Sequence, residues 1–265
     1  MKTRIISGLI MIPLLAVIYF GGPVLIIGTF LIGIIGIREF YGAFEKAKVK
    51  PSYGVANISI LALYAVNLFF REYTQLYMLW FVLVVILSFL YMFNIKNRKL
   101  NDGFVTLIGI FYVIFLSFHV VLIDQTGAYN ILIWLVFITA FGTDIFAYFT
   151  GYLLGKHKLC PDISPKKTIE GAIGGLIGSV LLSGVFGYIF CREFFIMCLI
   201  IGVVGSVMSQ LGDLSASIVK RKLDVKDYGN LIPGHGGILD RFDSVIFTAP
   251  TVYYSIVILS LTGVI

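Results

Sequence analysis

Apolar residues run along this chain in long blocks, separated by short polar connections. A bilayer core takes about 20 apolar residues per helix, with about 17 as a practical minimum. That ruler places nine spans, at 4–21, 23–40, 54–70, 75–94, 103–122, 129–151, 170–190, 193–219 and 241–263. The first two are joined through Gly21, Gly22 and Pro23, which read as a tight turn. The expected fold is all-α, a polytopic integral membrane helix bundle of about nine transmembrane helices. The first five spans carry few ionisable groups, so 1–128 reads as an N-terminal transmembrane scaffold and 129–265 as a C-terminal catalytic transmembrane region.

Composition strengthens that reading. Of 265 residues, 59% are hydrophobic and only 13% charged, where a soluble domain would carry roughly a quarter charged. The charge pattern sets the orientation. When the loops are assigned alternately to two sides, all but Arg71 and Arg192 of the 20 Lys and Arg residues fall on the side of the N-terminus. The positive-inside rule makes that side cytoplasmic and sends the C-terminus to the far side. The net charge of +6 then lies beside anionic lipid head groups, so the expected partner surface is a bilayer and not a nucleic acid. The opening run MKTRIISGLIMIPLLAVIYF resembles a signal peptide, but without a convincing small-residue cleavage site it reads as a retained first helix. Cys160, Cys191 and Cys198 form no CxxC pair and suggest neither a disulfide framework nor a zinc site.

Glycines at 171, 174, 175 and 178 make two overlapping small-xxx-small pairs, which in a membrane signal close helix packing. Polar chemistry is concentrated in the last four spans and their loops. Asp144, Tyr148, Gly151 and Gly155 recur at i, i+4, i+7 and i+11 and share one helix stripe. An acid at that depth faces protein or water and not lipid, either as a structural hydrogen-bonding group or as a functional one. In SPKKTIEG, Pro165 with Lys166 and Lys167 reads as an ordered turn, and Thr168 as a cap for the next helix. The two lysines either grip phosphate or are ordinary positive-inside charge. Asp213, Ser217, Lys220 and Arg221 share a helix face running from an acid to cations at the water boundary. Asp240 and Asp243 stand at i and i+3 at the start of the last span, where the helix dipole favours carboxylates. Capping by Asp240 would explain one acid but neither Asp243 nor Asp213. Three carboxylates without thiolates are hard oxygen ligands and suit Mg2+, which usually keeps one or two carboxylates plus substrate phosphates. Between these helices, Pro233-Gly234-His235-Gly236-Gly237 must bend sharply and free backbone N–H groups for an anion. His119 and His157 have no acid partner in sequence.

On these residues the chain resembles the phosphatidate cytidylyltransferases. The family pattern stands here as Ser217-Ile218-Val219-Lys220-Arg221, four further residues, Lys226-Asp227, then His235-Gly236-Gly237-Ile238-Leu239-Asp240-Arg241-Phe242-Asp243. The SPKKTIEG segment and the Asp144 stripe are similar to stretches of the same family, so the resemblance covers roughly the C-terminal half. It implies transfer of a cytidylyl group from CTP to phosphatidate, giving CDP-diacylglycerol and pyrophosphate for phospholipid biosynthesis. It also implies Mg2+, with a monovalent cation such as K+ as an allowed second ion. The site would lie at the cytoplasmic face of a multi-pass protein of the cell inner membrane or plasma membrane. The expected metal ligands are Asp213, Asp240 and Asp243, and these with Lys167 form the expected catalytic set. Lys166, Ser217, Lys220, Arg221, Lys226, His235, Arg241 and Asp144 are the expected substrate contacts. Glycine-rich helix faces fit a homodimer as easily as packing within one chain. The competing class is an ion-coupled transporter, opposed by the lack of an inverted repeat and by charges gathered at one face instead of the midplane.

Overall fold

The computed structural model describes residues 12–231 and 236–261. Its helices are α1 (Ile12–Phe20), α2 (Gly22–Lys46), α3 (Tyr53–Phe69), α4 (Gln75–Tyr91), α5 (Leu100–Gly109), α6 (Leu116–Asp124), α7 (Ile133–Leu154), α8 (Ile169–Phe190), α9 (Phe195–Lys222) and α10 (Leu239–Leu261). A π-helical segment, Ile110–Phe115, joins α5 to α6 in one continuous rod, and short 3-10 turns lead into α7 and α9. Among the described residues six helical segments are long and apolar enough to cross a bilayer. Helices α3 and α4, of 17 residues each, are shorter apolar helices. The expected polytopic all-α bundle is therefore the observed one. The expected span 4–21 lies partly outside the described residues, which begin it at Ile12.

Two turns show how the chain is folded back. Gly21 and Gly22 adopt φ of 58° and 47°, a left-handed geometry that other residues resist. The Gly22 amide donates to Asp124 Oδ2 at 2.9 Å, so α6 clamps the turn expected there. At the other end of the bundle, Pro165 to Lys167 form no turn. Ser164–Thr168 is strand β2, paired antiparallel with β1, Lys158–Cys160. Both strands are too short to show an alternating pattern, which is why a turn was expected. Thr168 does cap α8, its Oγ1 accepting from the Gly171 amide at 3.1 Å.

Helices α7, α8 and α9 pack closely on small residues. A Cβ at Gly171 would stand 2.8 Å from the Ala147 carbonyl, and one at Gly175 2.9 Å from the Thr143 carbonyl, so the small-xxx-small reading holds. Polar groups finish the seam: Thr143 bonds Ser206 at 2.9 Å, Ser179 donates to the Gly202 carbonyl at 3.0 Å, and Gln210 donates to the Ala172 carbonyl at 3.1 Å. In a bundle surrounded by lipid, such contacts substitute for the missing hydrophobic drive. One buried apolar core gathers Phe40, Leu63, Trp80 and Phe118 with Ile246, and a second gathers Leu25, Leu135, Ile201 and Ala249. The outward faces carry exposed Leu31, Leu61, Ile177 and Ile258, as lipid contact requires.

Candidate active site

The end of α9 and the start of α10 meet side by side, and a basic side chain from one lies against two acids from the other. Lys220 Nζ donates to Asp240 Oδ1 at 2.9 Å and stands 3.9 Å from Asp243 Oδ2. The i, i+3 spacing of the two acids puts both on one face, as the sequence requires. Asp240 Oδ2 accepts from the Tyr228 amide at 2.8 Å and the Gly237 amide at 2.9 Å. This one carboxylate thus ties both ends of the intervening loop to the two helices. Gly236 takes φ of 84°, and a Cβ there would lie 2.9 Å from Asp240 Oδ2, so the bend needs glycine. Side-chain exposures of 11% for Lys220 and 3% for Asp240 mark a sealed pair. Removing one partner of such a pair strands the other charge.

Two further groups seal this corner. Glu39, two turns before the end of α2, accepts from the Ile238 amide at 3.0 Å and the Leu239 amide at 2.8 Å. It caps α10 from about 200 residues away in sequence, supplying a carboxylate where the helix leaves N–H groups without partners. Tyr228 lies under Lys220, whose Nζ is 5.3 Å from the ring centroid, and its hydroxyl donates to the Ala216 carbonyl at 3.3 Å. Burial first, then Tyr112, Asp240 and Asp243 nearby, push the Tyr228 phenol well above its ordinary value and keep it neutral.

The second part of the site is open. Asp213, nearly two turns before Lys220 on α9, accepts from Ser217 Oγ at 3.4 Å and forms an ion pair with Lys167 of β2. About a quarter of each side chain in that pair is exposed, 27% for Lys167 and 26% for Asp213. Both line a cleft of about 540 Å³ with Asp144, Tyr148, Gly151, Gly155 and Lys166, so the predicted stripe on α7 does face one cavity. Asp144 and Asp213 are within electrostatic reach of each other and of Asp243, with Lys167, Lys220 and Arg241 around them. This acid cluster joins the open and sealed parts.

Of the expected site residues, Asp144, Lys166, Lys167, Asp213, Ser217, Lys220, Asp240 and Asp243 are brought to this one end of the bundle. Lys220, expected to contact substrate, is paired with Asp240. Arg221 turns out to solvent and donates to the Val225 carbonyl at 3.4 Å. Lys226 is exposed and makes no ion pair among the described residues. His235 lies outside the described residues. His157 does have an acid partner: its Nδ1 lies 2.6 Å from Glu170 Oε1, which the linear sequence hid because the contact crosses the β-hairpin.

Sequence reasoning missed Glu39, Tyr228 and Tyr112. Glu39 sits inside an apolar run, and an acid there is itself a signal, since its desolvation requires a partner. Tyr112 lies in the π-helical segment, a feature frequent at functional sites. Its buried hydroxyl has no hydrogen-bond partner among the described residues, and Asp243, Asp213 and Asp240 lie within electrostatic reach of it.

Among the described residues no three Asp, Glu, His or Cys side chains are arranged to hold a metal ion by themselves. The donor set is carboxylate oxygen from three helices, Asp144, Asp213 and Asp243, at a cleft with two lysines. That fits an ion which takes one or two carboxylates and completes its shell with phosphate and water, as Mg2+ does.

Residues 2–259 match the model of the cytidylyltransferase family. A phosphatidate cytidylyltransferase of Bacillus subtilis is 43% identical over 183 residues, which is 66% of this chain and 66% of that protein. One from Staphylococcus haemolyticus is 36% identical over 272 residues, 94% of each chain. One from Thermotoga maritima is 31% identical over 273 residues, 96% of this chain and 95% of its own. With its family model matched over nearly the full length and a membrane-helix bundle to carry the site, the chain belongs to the cytidylyltransferase family of nucleotidyl-transferring enzymes.

Proposed function

We propose that this enzyme transfers the cytidylyl group of CTP to phosphatidate, releasing pyrophosphate and leaving CDP-diacylglycerol in the membrane. One observation carries the reading: Asp144 of α7 and Asp213 of α9 line a cleft that also holds Lys166 and Lys167, with Asp243 of α10 within electrostatic reach of both acids. The relatives' names supply the substrates, and the site supplies the chemistry those substrates need.

Phosphatidate brings its own nucleophile, an anionic phosphate oxygen. It attacks the α-phosphorus of CTP, and the bond from that phosphorus to the oxygen bridging to the β-phosphate breaks. Little proton transfer is required. The barrier is charge: two anions approach, and a third leaves. Positioning and electrostatic stabilisation therefore do most of the work. Lys166 and Lys167 line the cleft where the nucleotide phosphates enter. Lys167 exchanges its half-open pair with Asp213 for phosphate oxygens. Asp213 and Asp243 are the proposed carboxylates to hold Mg2+, with Asp144 the third acid in reach; when bound, the ion would supply positive charge against the phosphates and the leaving pyrophosphate. Asp240 was expected among the metal ligands, but both its oxygens are engaged. Its proposed part is to hold Lys220 and the loop so that Asp243 is presented to the cleft. Ser217 steadies Asp213. The side of the loops that collects 18 of the 20 basic residues supports a cytoplasmic location for this end of the bundle, where CTP would be available and the lipid would arrive sideways. A K+ ion beside Mg2+, His235 and Arg241 as phosphate contacts, and assembly as a homodimer remain part of the proposal.

The test uses purified full-length protein in detergent with labelled CTP and phosphatidate. Label should pass into lipid with stoichiometric pyrophosphate, stop on chelation and resume with Mg2+. Absence of label in lipid with folded protein, or turnover unaffected by chelator, would sink the reading.

A further inference from the structure

A second cavity lies at the same end of the bundle as the active site, but on the N-terminal helices and sharing none of its lining residues. It occupies about 650 Å³ where the end of α2, the start of α3 and the segment joining α4 to α5 meet. Glu39 fixes the level: α2 caps the catalytic helix through that residue, and the cavity begins at Glu45, less than two turns further toward water. The side chains facing it include Lys48, Lys50 and Arg98, two tyrosines, Tyr53 and Tyr91, and a single acid, Glu45.

This is a built pocket and not a loose basic loop. Buried Asp102 accepts from the Lys50 amide at 2.7 Å and from the Lys99 amide at 2.8 Å, fastening both cationic segments to the start of α5. The Ser52 amide donates to Thr106 Oγ1 at 2.8 Å. Tyr91 donates to the Lys50 carbonyl at 3.0 Å, and the Arg98 guanidinium lies 4.5 Å over the Tyr91 ring. Lys48 takes φ of 61°, and its amide donates to the Glu45 carbonyl at 2.9 Å. The one acid in the lining, Glu45, stands beside Tyr53. Three cations on a fastened backbone thus face one cavity against a single acid, Glu45, which leaves it with a net positive charge.

We propose that this cavity binds the phosphate head group of an anionic membrane phospholipid, at a site separate from catalysis. The ligand chemistry is a phosphate diester or monoester with a glycerol-sized body. Basic pockets between membrane helices at the water boundary take such head groups, and paired tyrosines suit the depth at which head groups lie. Size favours the lipid over free phosphate: the open cleft has room for a glycerol-sized head group as well as its phosphate. The site gives an enzyme of lipid synthesis a contact with the charge of its own membrane, independent of whether the proposed reaction is right.

The test is retention of phosphatidylglycerol, a diester without the attacking phosphate monoester, by full-length protein, read by native mass spectrometry against phosphatidylcholine. Wild type should hold phosphatidylglycerol in preference, and the triple variant Lys48→Ala, Lys50→Ala, Arg98→Ala should hold about tenfold less or lower still. Millimolar inorganic phosphate should not displace the lipid; displacement would assign the pocket to a soluble anion and overturn the proposal. Equal retention by the triple variant, or no preference in wild type, would overturn it too. Should the triple variant fail to fold, Glu45→Gln carries the question: it removes the only acid and should raise retention several-fold, and an unchanged or lower value counts against the pocket.

Discussion

Two lysine–aspartate pairs stand a few turns apart in the same site and do opposite things. Lys220 and Asp240 are sealed, at 11% and 3% side-chain exposure, with both oxygens of the acid satisfied. Lys167 and Asp213 are each about a quarter exposed and face a cleft. A sealed pair cannot open cheaply, because each charge would be left in a medium that does not solvate it. Fully exposed pairs are worth roughly 0.2–1 kcal/mol, and a pair open to a cleft lies nearer that limit and exchanges partners more readily. The difference separates two uses of the same residue types: one pair sets the shape, and the other is the pair proposed to meet phosphate and metal.

That contrast can be broken from either side, and the sealed pair should give the largest effect. Lys220→Ala strands Asp240 and should cost about 3–5 kcal/mol of stability, seen as a fall in melting temperature in detergent, with activity lost alongside. Asp213→Asn should lower kcat about 100- to 1,000-fold while shifting stability by less than about 1 kcal/mol. A large loss of stability there would erase the distinction between the pairs. Glu39→Ala leaves the Ile238 and Leu239 amides unpaired and should cost about 1–3 kcal/mol, with a matching rise in hydrogen exchange at the start of α10. Lys167→Ala should raise KM for CTP about tenfold, the effect of one lost charge-assisted contact, with an unchanged melting temperature. A stability loss as large as that of Lys220→Ala would show that the open pair is also structural.

Much of this architecture could be read from the chain alone, for a simple reason. Long apolar runs have one solution in a bilayer, so the helices and the Gly21–Gly22 turn followed from local pattern. The stripe of Asp144, Tyr148, Gly151 and Gly155 and the stacking of Asp240 on Asp243 are also local, set by helix period. What sequence could not carry is pairing across the fold. Glu39 meets Leu239 from 200 positions away, and nothing in either neighbourhood names the other. The pairing of Lys220 with Asp240 is of the same kind, because their alignment depends on how α9 and α10 cross. The hairpin of β1 and β2 escaped because five residues of SPKKT, a proline among them, carry no period-2 signal. The π-helical segment that holds Tyr112 is likewise a property of packing and leaves no mark in the run of apolar letters.

The most direct measurement is divalent-ion binding itself. Mn2+ can be titrated into full-length protein with a non-hydrolysable CTP analogue and followed by electron paramagnetic resonance. Asp213→Asn and Asp243→Asn should each weaken binding about tenfold or more, with Lys167→Ala closer to wild type. Wild-type affinity in both aspartate variants would contradict the account, because the carboxylates that give the site its centre would then hold nothing.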